Sequence, residues 1–450
     1  MKVTDFDAII IGAGPAGSAA AILLARAGWA VALVEKQPFP RRKVCGECIA
    51  ASNLPLLHAL GIGTAFEAAA GPELKRMALM HGAHTVVADL PAAAHATYRW
   101  GRALGRETLD TLLLEQARAA GAQVLQPWSV QAIGGAAGDW RCRVRAIDTN
   151  ADATLRAPVA IAAHGSWEAL PSVRPRRRLA RQASDLFAFK ANFRNTTLAE
   201  GLLPVLAFDG GYGGMVVAEH GVTTLACCVR RDRMEACRSG LPGARAGEVV
   251  EALLRRECAG VRAALQGATR DASWLAAGPI DPGIRLGADD GHGGHAGHAG
   301  HAGHAGLLRI GNAAGEAHPI IGEGMSMALQ SAHLLCAGLL GADTGSATWQ
   351  RDVAWRYAAS WRQHFAGRLR LAATFAQAAM RPALAGPLLA LTSAWPGLLT
   401  AGARWGGKVR CAVDARTVAE LAKVADKRQA RPATARAEPQ AHPHRLKETT

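Results

Sequence analysis

The stretch of sequence that decides the fold is DAIIIGAGPAGSAAAILLARAGWAVALVE, which runs from Asp7 to Glu35. Its apolar beginning, Asp7 to Ile11, is typical of a buried parallel strand. The Ala-rich residues Ser18 to Ala27 predict a helix, and the apolar run Ala30 to Val34 predicts a second strand. These residues therefore predict one complete strand–turn–helix–strand unit.

Three glycines in the turn of this unit have separate roles. Gly12 permits a tight turn, Gly14 lets the backbone approach a pyrophosphate, and Gly17 allows the helix to pack closely on the strand. The positive end of the helix favours phosphate. Glu35 ends the second strand, where a carboxylate can accept hydrogen bonds from both hydroxyls of an adenosine ribose. We therefore favour a dinucleotide site over a chance glycine-rich turn.

A second glycine-rich stretch, GNAAGEAHPIIGEGMSMAL, runs from Gly311 to Leu329, after an apolar strand pattern at 307–310. It resembles the second FAD fingerprint of the flavoprotein superfamily that includes p-hydroxybenzoate hydroxylase, the geranylgeranyl reductases and the flavin-dependent halogenases. That fingerprint reads Gly-Asp-Ala-Ala, a few residues, Pro, then Gly-x-Gly-hydrophobic. The resemblance implies that Asn312 contacts the ribityl chain and that the later glycines approach the flavin ring.

Three further segments resemble the same superfamily. Pro40 to Glu47, PRRKVCGE, is similar to a Lys-x-Cys-Gly segment of the geranylgeranyl reductases that lies against the flavin. Arg106 resembles an arginine at the head of a helix that reaches the FAD pyrophosphate. Gly210 to Met215, GGYGGM, stands where that branch has an aromatic and glycine-rich strand facing the substrate.

The resemblance implies FAD as the cofactor and NAD(P)H as the candidate electron donor, with no metal. Two catalytic candidates follow. His318 is either a proton donor beside the flavin or a histidine that only forms hydrogen bonds, and Tyr212 either contacts substrate or fills the gap between sheet and flavin. The predicted cofactor-binding residues are Gly12, Gly14, Pro15, Ala16, Gly17, Glu35, Lys36, Arg42, Cys45, Gly46, Arg106, Val130, Gly311, Asn312, Gly322, Gly324 and Met325.

Departures from the superfamily pattern bear on the reaction. Asn312 replaces the usual Asp, which keeps hydrogen bonding and loses the charge. His164 replaces the Asp of an Asp-Gly pair that serves both FAD and NADPH in many aromatic hydroxylases, which argues against direct use of NADPH. The Trp-x-Trp-x-Ile-Pro signature of halogenases is absent from the sequence, and no lysine stands in a matching context. Halogenation is therefore disfavoured.

Cys45 and Cys48 form a C-x-x-C pair close to the strand–helix–strand unit. One interpretation is a redox dithiol that exchanges electrons with flavin. The other takes Cys45 as the flavin-side cysteine of the superfamily and Cys48 as a packing residue. We favour the second, because flavin-type disulfide reductases carry their cysteine pair in other sequence contexts.

The pattern of elements predicts an α/β protein. We expect a Rossmann-like FAD-binding domain of the glutathione-reductase type, an inserted and mostly antiparallel substrate domain, and a C-terminal helical region. Strand-like runs at 186–189, 205–208 and 223–229 and a helical run near 247–266 support the inserted domain. The expected ranges are 1–72, 101–184 and 307–340 for FAD binding, 73–100 and 185–290 for the substrate domain, 291–306 for a His/Gly/Ala loop, 341–424 for the helices and 425–450 for a disordered basic tail.

The loop at 291–306 carries a repeated histidine pattern. Closely spaced imidazoles can chelate a transition metal, and a glycine-rich repeat can equally be a surface loop without a ligand. We favour the surface loop, because no carboxylate or cysteine joins the histidines. The histidines are His292, His295, His298, His301 and His304.

Composition limits the class of protein, its compartment and its partners. A chain of 450 residues with 50% hydrophobic and 19% charged residues is neither a disulfide miniprotein nor wholly disordered. Nine cysteines and an N-terminus without a secretory pattern predict the cytoplasm. The net charge of +15 suggests nucleic acid at first, but its basic clusters lack the interleaved aromatics of a single-strand groove. We therefore expect no nucleic-acid partner.

One long uncharged segment remains, at residues 382–403. It is long enough to span a bilayer, but Pro387 and Pro396 interrupt it, so we favour two packed or interfacial helices. Together with the basic tail, this segment suggests peripheral contact with anionic lipid.

Two enzymatic functions and one binding function stay open. The first is a monooxygenase that hydroxylates or oxidises a hydrophobic aromatic or polyketide-like molecule through a flavin hydroperoxide. The second is a geranylgeranyl-reductase-like flavoprotein that reduces or dehydrogenates an isoprenoid or other lipid. The third is a non-catalytic protein that holds FAD or sits on a membrane surface. We favour the first.

Overall fold

The computed structural model describes residues 3–166, Leu170, and residues 181–286, 306–340 and 347–429. The strands in these ranges are β1 Val3–Asp5, β2 Ala8–Ile11, β3 Val31–Val34, β4 Cys48–Ile49, β5 Arg76–His81, β6 His84–Asp89, β7 Arg102–Ala103, β8 Gln123–Leu125, β9 Trp128–Ala136, β10 Asp139–Ala146, β11 Asp152–Ala157, β12 Val159–Ala162, β13 Leu186–Arg194, β14 Leu202–Phe208, β15 Gly211–Val217, β16 Thr223–Arg230, β17 Thr269–Arg270, β18 Leu275–Ile280, β19 Gly283–Ile284, β20 Leu308–Arg309 and β21 Gly315–Glu316. The helices are α1 Pro15–Arg26, α2 Leu54–Ala59, α3 Gly63–Ala69, α4 Arg106–Ala119, α5 Arg231–Ser239, α6 Ala246–Glu257, α7 Ala259–Ala264, α8 Gly324–Leu340, α9 Ala347–Ala379, α10 Pro382–Ala394, α11 Gly397–Gly406 and α12 Ala415–Gln429.

A parallel sheet carries the two glycine motifs. Its strand order is β20-β12-β2-β3-β8, and each neighbouring pair is parallel. The four residues of β2 are all buried, as expected of a strand covered on both faces. Ile10 packs among the helices α1, α4 and α8, whereas Ile9 and Ile11 pack on the other face. The predicted strand–helix–strand unit is thus present as β2, α1 and β3.

A small meander covers the second face of the parallel sheet. Strands β9, β10 and β11 are antiparallel to one another, and β1 joins β11 in parallel. Every second residue of β10 is buried, with Trp140 and Cys142 against Ile9 and Ile11. We did not predict this layer. The edge strand of this layer, β9, lines one side of the cavity that contains most of the predicted cofactor residues.

The largest sheet has the order β17-β13-β16-β15-β14-β5-β6, with β18 also paired to β13. Among the described residues its pairs are antiparallel except for β14 with β5. Helices α6 and α7 cover one face, and α9 and α10 cover the other. The predicted strands at 186–189, 205–208 and 223–229 lie within β13, β14 and β16. The helical run near 247–266 is divided at Cys258 into two helices, because that residue has an extended backbone.

The structure confirms the predicted α/β class, with its Rossmann-like sheet, antiparallel sheets and C-terminal helices. The uncharged segment forms α10 and α11, bent by 114° at a short break. No single helix of the described ranges is long and apolar enough to cross a membrane, although this bent pair together has the length and composition. Helix α12 reaches Gln429, so the first residues of the expected tail, from 425, are helical. Residues 430–450 and the histidine-rich residues 291–305 lie outside the described ranges, and the expected domain boundaries remain a prediction.

Candidate functional site

One cavity of about 760 Å³ runs from the first glycine turn to the C-terminal helices. Most of the predicted cofactor residues lie on its wall, together with the catalytic candidate Tyr212. Gly17, Arg42 and His318 do not. The binding roles themselves remain predictions. The predicted residues on the wall are Gly12, Gly14, Pro15, Ala16, Glu35, Lys36, Cys45, Gly46, Arg106, Val130, Tyr212, Gly311, Asn312, Gly322, Gly324 and Met325.

The first glycine turn leaves room for a ligand only because it lacks side chains. Gly12 has a φ of +102°, and a Cβ on it would lie 2.6 Å from the carbonyl oxygen of Ala163. A Cβ on Gly17 would overlap the carbonyl oxygen of Gly12, so Gly17 serves close packing rather than the wall. Gly14 is the N-cap of α1, and no described side chain caps this end. The free amides and the helix dipole therefore favour an anion at this point.

Glu35 is fixed at the end of β3. Its Oε2 accepts a hydrogen bond of 2.9 Å from the amide of Ala13, and its Oε1 accepts one of 2.9 Å from the amide of Gln37. The carboxylate is buried and still reaches the cavity. Because a carboxylate has about four lone-pair sites, it retains acceptor capacity for ribose hydroxyls.

Three cationic side chains lie close together at the same end of the cavity. Arg106 donates two hydrogen bonds of 2.7 Å to the carboxylate of Asp110, and Arg41 lies 3.7 Å from that carboxylate. Burial and the charges of Arg106 and Arg41 lower the pKa of Lys43 to about 8. A bound dianion would relieve this repulsion. The cluster, with the glycine turn and Glu35, therefore fits the pyrophosphate and adenosine ribose of FAD.

Arg42, which we predicted to bind the cofactor, does not lie on the cavity wall. Its guanidinium donates a hydrogen bond of 3.2 Å to the carbonyl of Ser273 and lies 4.0 Å from Glu107. Its neighbours Arg41 and Lys43 are the cations on the cavity wall. The three residues are adjacent in sequence and lie in a loop, so no periodicity could have distinguished them.

Lys43 gives a pH prediction. We expect the affinity of the apoprotein for FAD to fall by up to about tenfold per unit above about pH 8, because the ammonium must then regain a proton to meet the pyrophosphate. The Lys43→Gln variant should bind FAD about tenfold more weakly at pH 7 and lose this slope. Titration of the apoprotein followed by flavin fluorescence measures both effects. A Lys43→Gln protein that keeps the slope would contradict the assignment, and Lys43→Arg serves as the charge-retaining control.

The loop after Lys43 is anchored by a buried ion pair that we did not predict. Glu47 pairs with Lys190 of β13, accepts a hydrogen bond of 2.5 Å from the hydroxyl of Thr224, and accepts one of 2.9 Å from the amide of Arg106. Three separate elements thus meet at one carboxylate. This holds Cys45 and Gly46 against the cavity, since the amide of Glu47 also donates to Sγ of Cys45 at 3.4 Å.

The second glycine motif forms another part of the wall. Nδ2 of Asn312 donates a hydrogen bond of 2.8 Å to Oγ of Ser166, and the carbonyl of Asn312 accepts one of 2.7 Å from Arg285. Gly322 and Gly324 stand just before and at the start of α8. A Cβ on Gly324 would meet no atom within 4 Å, so this helix end is open to the cavity. The arrangement agrees with a ribityl chain and flavin ring lying along this motif.

Lys408, which follows α11, reaches this second motif from the far end of the chain. Its Nζ lies 3.4 Å from the carbonyl of Gly322 and 3.6 Å from Sγ of Cys48. It also lies 3.7 Å from the buried carboxylate of Glu323, which Arg368 approaches at 3.8 Å. Burial raises the pKa of the Cys48 thiol, and Cys45 and Cys48 are both free thiols. Sequence spacing gave no signal for this lysine.

The two catalytic candidates are in contact. The hydroxyl of Tyr212 and Nδ1 of His318 are 3.0 Å apart. Burial raises the pKa of Tyr212 well above its ordinary value and lowers the pKa of His318, so both groups are neutral at pH 7. Tyr212 lies on the cavity wall and His318 stands behind it. The tyrosine is therefore placed to meet a ligand, with the histidine as its hydrogen-bond partner.

His164 also lies on the cavity wall, as do Ser166 and Asn312. Burial and the charges of Arg309, Arg285 and Lys43 lower its pKa to about 4. The imidazole is therefore neutral at pH 7 and cannot supply the carboxylate that the superfamily usually has at this position.

Beyond these polar groups the cavity becomes apolar. Its wall there consists of strands β5, β14 and β15 on one side and of helices α9, α10 and α11 on the other. We call this part the apolar chamber. Its side chains include Met77, Leu79, Val205, Phe375, Leu388 and Leu399.

Comparisons with known proteins agree with this arrangement. A family described as an FAD binding domain matches residues 5–218. The menaquinone reductase of Mycobacterium tuberculosis (strain CDC 1551 / Oshkosh) is 36% identical over 126 residues, which cover 28% of this chain and 30% of that relative. The match thus spans under a third of its length.

Two solved structures share the fold over most of both chains. The myxobacterial chondrochloren halogenase CndH superposes with a TM-score of 0.68 at 18% identity and covers 94% of this chain and 96% of its own. PqsL, a probable FAD-dependent monooxygenase from Pseudomonas aeruginosa, gives 0.64 at 18% identity and covers 85% and 99%. At these identities the likeness concerns the fold.

Proposed function

We propose that this chain is a member of the FAD-dependent flavoprotein monooxygenases and an oxidoreductase that inserts oxygen into a hydrophobic aromatic or polyketide-like small molecule. The observation that carries the proposal is the continuity of the cavity. The same space that meets the glycine turns and the cationic cluster extends into the apolar chamber. A cofactor in the first part and an apolar substrate in the second would therefore be in contact.

Bound FAD would supply acceptance of hydride and, once reduced, reactivity toward dioxygen. The residues of the chain would position FAD and the substrate and shield both from water. The glycine turns and cationic cluster would hold the pyrophosphate, and Asn312 would hold the ribityl chain. The apolar chamber would orient the substrate and exclude water. Tyr212 would donate a hydrogen bond to the substrate, with His318 holding its hydroxyl in place.

Oxygen dependence tests the proposal. The purified protein should be yellow, and once its flavin is reduced chemically or by an added flavin reductase, dioxygen should yield product only when an acceptable substrate is present. Product formation should stop without oxygen, and the product should carry label from isotopic dioxygen. A colourless protein that cannot be reconstituted with FAD would overturn the whole proposal, and label from water would overturn the oxygen insertion.

The Tyr212→Phe variant tests the site. We expect its turnover to fall by about tenfold or more, because the variant lacks the hydroxyl that we propose donates to the substrate. Turnover is expressed per bound flavin, because Tyr212 also contacts His318 of the second glycine motif and the substitution can change flavin content. Tyr98→Phe, a tyrosine off the cavity wall, is the matched control. Equal turnover of both variants would remove Tyr212 from the mechanism.

A second candidate is a flavoprotein that reduces or dehydrogenates an isoprenoid or other lipid. It is favoured by Cys45 and Gly46 on the cavity wall and by the local identity with a menaquinone reductase. Turnover that continues under nitrogen with such a substrate would select this candidate over the monooxygenase.

A further inference from the structure

The helices α10 and α11 have two different faces. Their inner residues, such as Leu388 and Leu399, form a wall of the apolar chamber. Leu384 and Leu391 stand seven residues apart on α10, which places both on its outer side, where they are exposed. Leu398 is exposed and also lines the chamber, so the wall is one helix thick at this point.

The outer side is apolar to a degree that is unusual for a water-facing surface. Trp395 at the bend is 64% exposed, and Trp405 in α11 is 58% exposed. Of the ten large apolar side chains that are exposed in the described ranges, five lie between residues 384 and 405. Exposed apolar residues that are scattered need no partner, but such a concentration marks an interaction surface. We call the exposed side of α10 and α11 the docking face.

Charge identifies the kind of partner. No Asp or Glu occurs from residue 353 to residue 413, whereas eight Lys or Arg do. Arg381 and Arg404 flank the docking face and are exposed. Two copies of this face would bring like charges together, which disfavours self-association. An anionic surface that also accepts tryptophan and leucine has the chemistry of a bilayer with acidic headgroups.

We propose that the docking face of α10 and α11 binds in the interface of membranes that contain anionic lipids. Trp395 and Trp405 enter the headgroup region, and Arg381 and Arg404 contact the acidic headgroups. The docking face does not depend on the reaction that the site performs. A substrate dissolved in the bilayer would lie one helix away from the apolar chamber.

Vesicle sedimentation of the full chain tests this proposal. Wild-type protein should sediment with vesicles of equal phosphatidylcholine and phosphatidylglycerol and stay largely free with phosphatidylcholine alone. The double variant Trp395→Ser/Trp405→Ser should lose about tenfold or more of its bound-to-free ratio. Trp355→Ser is the matched control, because Trp355 is 50% exposed on α9, about 30 Å along the helix from the contact with α11. It should change binding by less than about twofold.

Further measurements test the contribution of the two arginines and exclude a dimer interface or an inserted membrane span. Arg381→Gln/Arg404→Gln should weaken binding to the anionic vesicles only, and added salt should weaken wild-type binding in the same direction. All variants should retain the unfolding midpoint of the wild type. The proposal is overturned if wild-type protein stays free with anionic vesicles or if Trp355→Ser loses as much binding as the double variant. It is also overturned if the double variant converts a dimer to a monomer, or if alkaline carbonate fails to release the bound protein.

Discussion

The Lys190→Met variant is expected to lose about 3–5 kcal/mol of unfolding free energy, because it leaves the carboxylate of Glu47 as a buried charge without its counterion. Lys190 is 1% exposed and Glu47 is 2% exposed, so water cannot replace the ammonium. The hydroxyl of Thr224 and the amide of Arg106 would still donate to the carboxylate, but neither carries a charge. Urea denaturation followed by tryptophan fluorescence measures the loss.

An exposed pair provides the control for this prediction. Lys75 and Glu73 lie 3.1 Å apart, and both are exposed. The same substitution there, Lys75→Met, should change stability by at most about 1 kcal/mol. The double variant Glu47→Gln/Lys190→Met should recover part of the loss, because no uncompensated charge remains. Equal stability of Lys190→Met and wild type would show that the pair does not hold the loop to the sheet.

The Glu47–Lys190 ion pair also shows which part of the site could not be predicted from the sequence. Glu47 and Lys190 are 143 residues apart, and they meet only because β13 of the large sheet passes beside the loop that follows β3. Lys408 and Cys48 are 360 residues apart and meet for a similar reason. Contacts of this kind depend on how layers stack, and no local pattern encodes them.

Local patterns, in contrast, predicted the strand, turn and helix elements that form this end of the cavity. The turn at Gly12, the helix after it and the strand that ends on Glu35 are neighbours in sequence and are held by backbone geometry. The second glycine motif behaves in the same way, because it too joins a strand to a helix. Arg42 does not lie on the cavity wall, whereas its neighbours Arg41 and Lys43 do, because the direction of a loop side chain depends on distant partners such as Ser273.

The small meander of β9, β10 and β11, which we did not predict, has a sequence pattern that indicates a strand. Asp139 to Ala146 alternates polar and apolar residues, and the apolar ones are those that β10 buries. The parallel pairing of β5 with β14 has no such pattern in the sequence. The residues that pair, such as Leu79 and Val205, are separated by more than one hundred positions, and both strands are apolar. The register of a sheet between distant strands is set by packing and not by either strand alone.

The glycines of the first turn give the other large expected effect, and they separate folding from cofactor binding. We expect Gly17→Ala to lower stability by about 3 kcal/mol and flavin content by about tenfold or more, because its methyl group would overlap the carbonyl of Gly12. A methyl group on Gly14 would meet only the guanidinium of Arg106, at 3.8 Å, which the fold can accommodate.

Gly14→Ala should therefore leave the stability of the apoprotein unchanged and still weaken FAD binding by about a hundredfold, because the methyl group would occupy the space where the pyrophosphate approaches the backbone. Flavin absorbance per chain and urea denaturation of the apoprotein measure the two effects separately. Gly367→Ala on α9, where a Cβ meets no atom within 4 Å, is the control and should keep full flavin content. If Gly14→Ala binds FAD as tightly as the wild type, the pyrophosphate does not lie at this turn, and the cationic cluster of Arg41, Lys43 and Arg106 needs another ligand.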